Sequence, residues 1–307
     1  MTAVSASGAV AVPMPAGFSL ARTCAPAAWA GGRWPNEDWI DGAFWWAGHD
    51  RGVACWRRVS AIGGGVLVEG TGDADGFADW AMRVLAPRPA LDRAADPVIA
   101  ALDRAFPGLG QLNSGDMADG ATFAIVGQSV SLASAGVTAS RLSAMFHPGF
   151  ALAGRTLWPL PAPADLAAAR PDRIRPCGVT GKRAEALVAA AALFAAAEIP
   201  GDPATFGETP AARLLSTPGV GPWTVASTLL WGGGHPDVFP PGDAALLRAA
   251  RAACADPGLD HRGLEARSAR WAGHRSVAAR LLWTALFGHP GDAMTPGRGP
   301  AGPGGFA

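Results

Sequence analysis

"STPGVGPWTVASTLLWGGGHPDVFPPGDAALLRAA", residues 216–250, holds the decisive pattern of this chain. A short turn, Pro218-Gly219-Val220-Gly221, separates two apolar runs. A single Asp243 then follows a Val-Phe-Pro-Pro-Gly approach and stands directly before an Ala/Leu/Arg-rich helix. Glycines at 219 and 221 permit positive φ and remove side chains that would block close approach. The N–H groups of such a turn, and those opening the next helix, lack intrahelical acceptors and point outward. Together they suit one phosphate of a nucleic-acid backbone and need no net positive charge. Asp243 fits two roles, an N-cap for the following helix and a reactive carboxylate at a cleft edge, and one residue can fill both.

Composition agrees with a local anion site and excludes some alternatives. The chain has 307 residues with 25 basic and 25 acidic side chains, so it is not a polyanion binder acting through bulk charge. Hydrophobic residues make up 49%, ample for a core, and the length favours two or more packed units. The four cysteines, Cys24, Cys55, Cys177 and Cys254, are far apart and form no CxxC pair. They read as free thiols in a reducing cytoplasm, with no disulfide, zinc or iron–sulfur cluster implied. The opening "MTAVSASGAVAVPMPAG" lacks a basic segment, and no apolar run reaches the roughly 18 residues that a membrane span needs. A cytoplasmic monomer is expected.

Residues 1–15 and 291–307 are small, Gly/Pro-rich and aperiodic, and read as loose tails. Residues 16–90 read as an antiparallel sheet domain. Within it "GVACWRRVSAIGGGVLVEGTGD" (52–73) supplies one strand, a Gly-rich turn at 63–65 and a second strand. The Trp-rich "WPNEDWIDGAFWWAG" (34–48) suggests strands or turns whose aromatics cover one sheet face as core. Residues 91–290 read as helical throughout. "DGATFAIVGQSVSLASAGVTASRLSAMF" (119–146) is apolar nearly all round over its first half, as a central buried helix would be. Thr180 is a plausible N-cap for "TGKRAEALVAAAALFAAA" (180–197). The predicted class is α+β, mainly helical, with a small N-terminal antiparallel sheet unit.

The stretch from Leu214 through Pro218-Gly219-Val220-Gly221, with Asp237-Val238-Phe239-Pro240 and Asp243, resembles the helix–hairpin–helix DNA glycosylase superfamily, its paired helices falling at 211–232. Trp223 after the turn, Arg275-Ser276 and Trp283 in "WAGHRSVAARLLW", and Gln128 in "AIVGQSVSLASA" are similar to the DNA-3-methyladenine glycosylase II branch. The resemblance covers most of 17–290 and is weakest in the N-terminal sheet.

That resemblance implies a double-stranded DNA partner bearing a damaged base, a phosphate-binding turn at 218–221, and Asp243 as the catalytic carboxylate. It puts Trp223, Trp283 and Gln128 in the base pocket, Ser129 at the position of the residue that fills the gap left by an extruded base, and Arg275 in a supporting or phosphate-facing role. Gln128 could equally be a buried helix amide. A monovalent cation at the turn is compatible with the resemblance; no other cofactor and no metal is implied. Strand-cutting relatives carry a Lys where this chain has Trp223, so no amine is available there for a Schiff base. Gly242 replaces a partner Asp, and Ser129 is small for a wedge. The implied activity is hydrolytic release of an alkylated base, leaving an abasic site. A damaged-DNA binder without activity, or a glycosylase for oxidised or deaminated bases, are the alternatives.

Overall fold

The structure is a computed structural model that describes residues 7–289. Five antiparallel strands form the N-terminal sheet: β1 (Gly8–Pro13), β2 (Glu37–Ile40), β3 (Ala43–Asp50), β4 (Val53–Ile62) and β5 (Gly65–Gly70), in the spatial order β1-β5-β4-β3-β2. β4 and β5 turn at 63–64, in register from Ile62 opposite Gly65 to Arg57 opposite Gly70. β1 corrects the expected tail. Its Gly, Ala and Val residues lack obvious periodicity, yet they pair with β5 from Gly8 opposite Gly70 to Pro13 opposite Gly65. The strand exists because β5 would otherwise expose a bare edge. The expected C-terminal tail, 291–307, lies outside the described residues.

The Trp-rich strands do not load one face. Side chains alternate along a strand, so neighbouring aromatics go to opposite faces. Phe44 and Trp46 pack on one face with Trp80 of the helix Phe77–Val84. Ala47 and Trp56 pack on the other with Leu152 and Leu157, and Trp45 packs against them. Those leucines belong to a two-stranded hairpin, Phe150–Leu152 with Arg155–Leu157, inside the region expected to be helical throughout. Its three-residue strands are too short to show a period of two. Two short helices, Leu20–Thr23 and Ala25–Trp29, likewise stand between strands of the sheet domain expected at 16–90. The fully buried Arg57 crosses the first core, paired with Asp50 at 3.0 Å and lying 4.2 Å above the Phe77 ring.

The helical unit packs around the helix Met117–Gly127, whose residues Met117, Ala118, Ala121, Ala124, Ile125 and Val126 are all buried. Thr180 caps Gly181–Ala195 as expected, accepting from the Arg183 N–H at 3.3 Å. The central helix crosses Pro222–Gly233 so closely that a Cβ on Gly120 would lie 2.6 Å from the Gly232 Cα and 3.0 Å from the Thr228 carbonyl oxygen. The missing side chain of Gly120 is the condition for that approach. Gly120→Ala is therefore expected to destabilise the fold by about 1–3 kcal/mol through overpacking, read by urea denaturation.

Candidate active site

The paired helices form as expected, Glu208–Leu215 and Pro222–Gly233. In the turn between them the Val220 N–H donates to the Thr217 carbonyl at 3.0 Å. Gly219 takes φ +85°, where only glycine is unstrained, and a Cβ there would come 3.1 Å from the Ala186 Cβ. Gly221 differs from expectation. Its φ of −111° is open to any residue, and a Cβ would meet nothing within 4 Å. Its value is the open space in front of it. Among the described residues the Gly221, Trp223 and Thr224 amides donate to no acceptor, which leaves three donors at the start of a helix.

Gln128 braces this turn. Its side-chain amide donates to the Gly219 carbonyl and to Thr224 Oγ1, both at 2.9 Å, and Arg183 donates to the Gln128 carbonyl at 3.3 Å. The residue thus caps the end of the central helix and spends its N–H groups on the hairpin, rather than leaving them for a base. Ser129 follows at φ +55°, exposed on the lip of the cleft. Val130 beside it is 38% exposed and is the apolar side chain at that lip.

A cleft of about 1000 Å³ opens between the sheet unit and the helices. The turn (Gly221), Trp223, Gln128, Ser129, Asp243 and Trp283 all border it, so residues spread over more than 150 positions meet in one place. Asp243 is half-buried at its edge. One carboxylate oxygen accepts from the Leu246 N–H at 2.7 Å, which caps the helix Ala244–Ala253. The other accepts from Trp223 Nε1 at 2.9 Å. Gly242 takes φ +71°, a left-handed turn that delivers Asp243 into this position and that glycine adopts without strain.

The inner wall is aromatic. Trp283 is 5% exposed and stacks on Trp231, with centroids 5.3 Å apart. Phe123 lies 6.1 Å from Trp231 and 4.6 Å from Trp34. Behind Trp231, at 4.6 Å, sits the buried guanidinium of Arg280, held by the Leu112 and Leu230 carbonyls and Asn113 at 2.8 Å each. Sequence reasoning missed Trp231, Phe123 and Trp34. A signal existed for the first, since Thr224, Ser227 and Trp231 recur at helical spacing and all face the cleft. Arg275 stands apart. Its guanidinium lies 3.2 Å from Asp237, not against Asp243, and it lines a separate 250 Å³ pocket behind the Asp243 loop. Among the described residues no group of three or more His, Cys, Asp or Glu could hold a metal ion, and no helix is long and apolar enough to cross a membrane.

No family model matches the chain. Over 205 residues it is 33% identical to a probable bifunctional transcriptional activator/DNA repair enzyme AlkA of Mycobacterium tuberculosis, covering 66% of this chain and 40% of that protein. Over 196 residues it is 31% identical to DNA-3-methyladenine glycosylase 2 of Escherichia coli K12, covering 62% of this chain and 66% of that protein. The chain thus spans about 40% of the length of the mycobacterial relative. Among solved structures, a 3-methyladenine DNA-glycosylase from Archaeoglobus fulgidus shares the fold, with a TM-score of 0.71 at 19% identity over 90% of this chain and 98% of that one.

The open space before Gly221 makes a clean test of the turn. Gly221→Val should leave the melting temperature nearly unchanged, within about 0.5 kcal/mol of stability. Affinity for duplex DNA should fall about tenfold whatever base is present, as expected for losing hydrogen bonds to a charged group. Fluorescence anisotropy at fixed salt reads it; unaltered affinity in the folded variant would remove the phosphate role.

Proposed function

This chain belongs to the helix–hairpin–helix DNA glycosylase superfamily, on the 3-methyladenine glycosylase branch, and on that premise we propose that it is a monofunctional DNA glycosylase. It releases alkylated bases of the 3-methyladenine type from double-stranded DNA and leaves an abasic site. The observation that carries this reading is the Asp243 carboxylate, held by Trp223 at the edge of an aromatic cleft and beside a turn with free amides.

The steps follow from that arrangement. The amides of the turn hold a backbone phosphate, which sets the register of the duplex. The target nucleotide swings out of the stack into the cleft, because its glycosidic bond cannot be reached within the helix. An alkylated purine carries positive charge and is already a good leaving group, and the faces of Trp223 and the Trp231–Trp283 wall attract it through their ring quadrupoles. As the C1′–N bond breaks, the sugar gains oxocarbenium character, and the Asp243 carboxylate stabilises it and orients the attacking water. Ser129 and Val130 at the lip face the gap in the stack. No amine does the chemistry: position 223 is Trp, and Lys182, the one lysine of the chain, does not line the cleft. The reaction is therefore hydrolysis without strand cleavage.

Asp243→Asn tests the carboxylate. An amide can keep either the Leu246 cap or the Trp223 acceptor but not both, since its NH₂ group cannot accept, so stability should fall by about 1 kcal/mol. Base release from methylated duplex DNA under single turnover should fall on the order of 10²-fold or more, while DNA binding holds. A folded Asn variant releasing 3-methyladenine at the parental rate would overturn the assignment. The hydrolytic reading also requires that borohydride trap no protein–DNA adduct; a trapped adduct would reveal an amine nucleophile.

A further inference from the structure

The cleft carries a second carboxyl that the steps above do not use. Among the described residues lining it, the side chains able to carry charge are Glu37, Asp119, Asp243 and Arg248. With Asp119 kept largely neutral by burial, Glu37 and Asp243 against the one base still suit a cationic ligand and oppose a phosphate-rich one. Asp243 is committed to the Leu246 amide and to Trp223. Asp119 stands in the first turn of the central helix, three residues after its N-cap Asp116, and burial together with the Asp116 carboxylate holds its carboxyl well above the ordinary carboxylate range, so it brings little charge to the cleft. Glu37 is placed differently. It opens β2, opposite Trp46 of β3, and is held half-buried in the cleft wall by a strand paired along its length. Its neighbour Asp38 is paired with Arg155, whereas the Glu37 carboxyl makes no hydrogen bond or ion pair among the described residues.

We propose that Glu37 is the residue by which this cleft selects a cationic base, its carboxylate accepting hydrogen bonds from the N–H edge of the extruded purine and answering its positive charge. The inference rests on the glycosylase reading and adds the specificity determinant to it. A carboxyl taken out of water without a partner costs stability unless a ligand completes it. Burial, and secondly the nearby Asp38 carboxylate, push Glu37 up from 4.5 to about 7. The titratable and charged groups around it are Cys24 from the short helices packed beneath β2, Asp38 with its partner Arg155, and Asp119, Asp243 and Arg248 around the cleft. The fixed-charge cations among them, Arg155 and Arg248, do not pair with Glu37, so an incoming cationic base meets an unneutralised carboxylate. A neutral base gains nothing from that charge and leaves the cost of ionising it in place.

Glu37→Gln removes the charge and keeps the size and one acceptor oxygen. Single-turnover base release would be compared on duplexes carrying 3-methyladenine, a cation in DNA, or hypoxanthine, a neutral base. The expected result is at least a tenfold loss on 3-methyladenine, with less than a twofold change on hypoxanthine and on binding to an abasic-site duplex. In the parent, the rate on 3-methyladenine at subsaturating protein should climb with pH through about 7, and this limb should vanish in the variant. The pH limb decides by itself if hypoxanthine proves a poor substrate. Folding supplies an independent readout. The folded protein holds Glu37 above its ordinary value, so ionisation costs the folded state stability as pH rises from 4.5 to about 7, and Glu37→Gln should melt higher than the parent above pH 7. Equal losses on both bases, or a pH limb that survives the substitution, would overturn the assignment while leaving the glycosylase reading intact. A parent protein that releases neither base would sink the enzyme reading and this assignment with it.

Discussion

The close crossing of the helices Met117–Gly127 and Pro222–Gly233 is the constraint on which the site depends. Gly120 lets the two backbones meet where a Cβ would lie 2.6 Å from the Gly232 Cα, and Gly232 leaves room for Met117. Everything that matters downstream is indexed from that contact. The C-terminal end of one helix delivers Gln128 to the turn that begins the other, and Phe123 and Trp231 come to the same wall of the cleft. Because packed interiors transmit small shifts, separating the helices by even part of an ångström would move the turn relative to the cleft. The placement of the turn and its free amides is thus set by core packing some distance away from it.

In the reaction we propose, Asp243 is a capping residue and the reactive carboxylate at once. Helix capping needs only one carboxylate oxygen, and the Leu246 amide takes it. The second oxygen is oriented by the indole N–H of Trp223, which keeps a charged group fixed at the border of an aromatic cavity. In the reaction we propose, a charge fixed in this way needs no reorganisation when the sugar becomes positive. The turn at Gly242 places it there, so the glycine that stands in place of a partner Asp has a geometric use.

Charge is distributed in opposite senses between the turn and the cleft. The outer turn offers backbone amides to an anion, while the cleft behind it is lined by carboxyls and aromatic faces. The proposed function thus asks a chain of zero formal net charge to hold a polyanion at its surface and a cation within. Arg280, buried without a carboxylate and lying against Trp231, is satisfied by two carbonyls and Asn113, and it ties the central wall to the sheet-side segment at 112–113. Burial pushes its pKa down, a cost that the three hydrogen bonds offset.

Sequence by itself determined the local devices. The paired helices, the turn, the cap at Asp243, the β4–β5 hairpin and the buried character of the central helix all rest on spacing, periodicity and backbone preference within some ten residues, which chain order displays directly. It misread β1, whose existence depends on the unpaired edge of β5, and the hairpin at 150–157, whose strands are too short for periodicity to register. The resemblance already grouped Trp223, Trp283, Gln128 and Asp243, but only the tertiary structure decided the contacts they make and the other residues that share the cleft. Gln128 reaches Gly219 across 91 positions, Arg275 turns to Asp237, and Glu37 arrives from a sheet strand more than 200 residues before Asp243. Such meetings are products of packing between units, and a linear pattern carries no signal for them, because the free energy that brings them together comes from burying the surfaces around them rather than from the residues themselves.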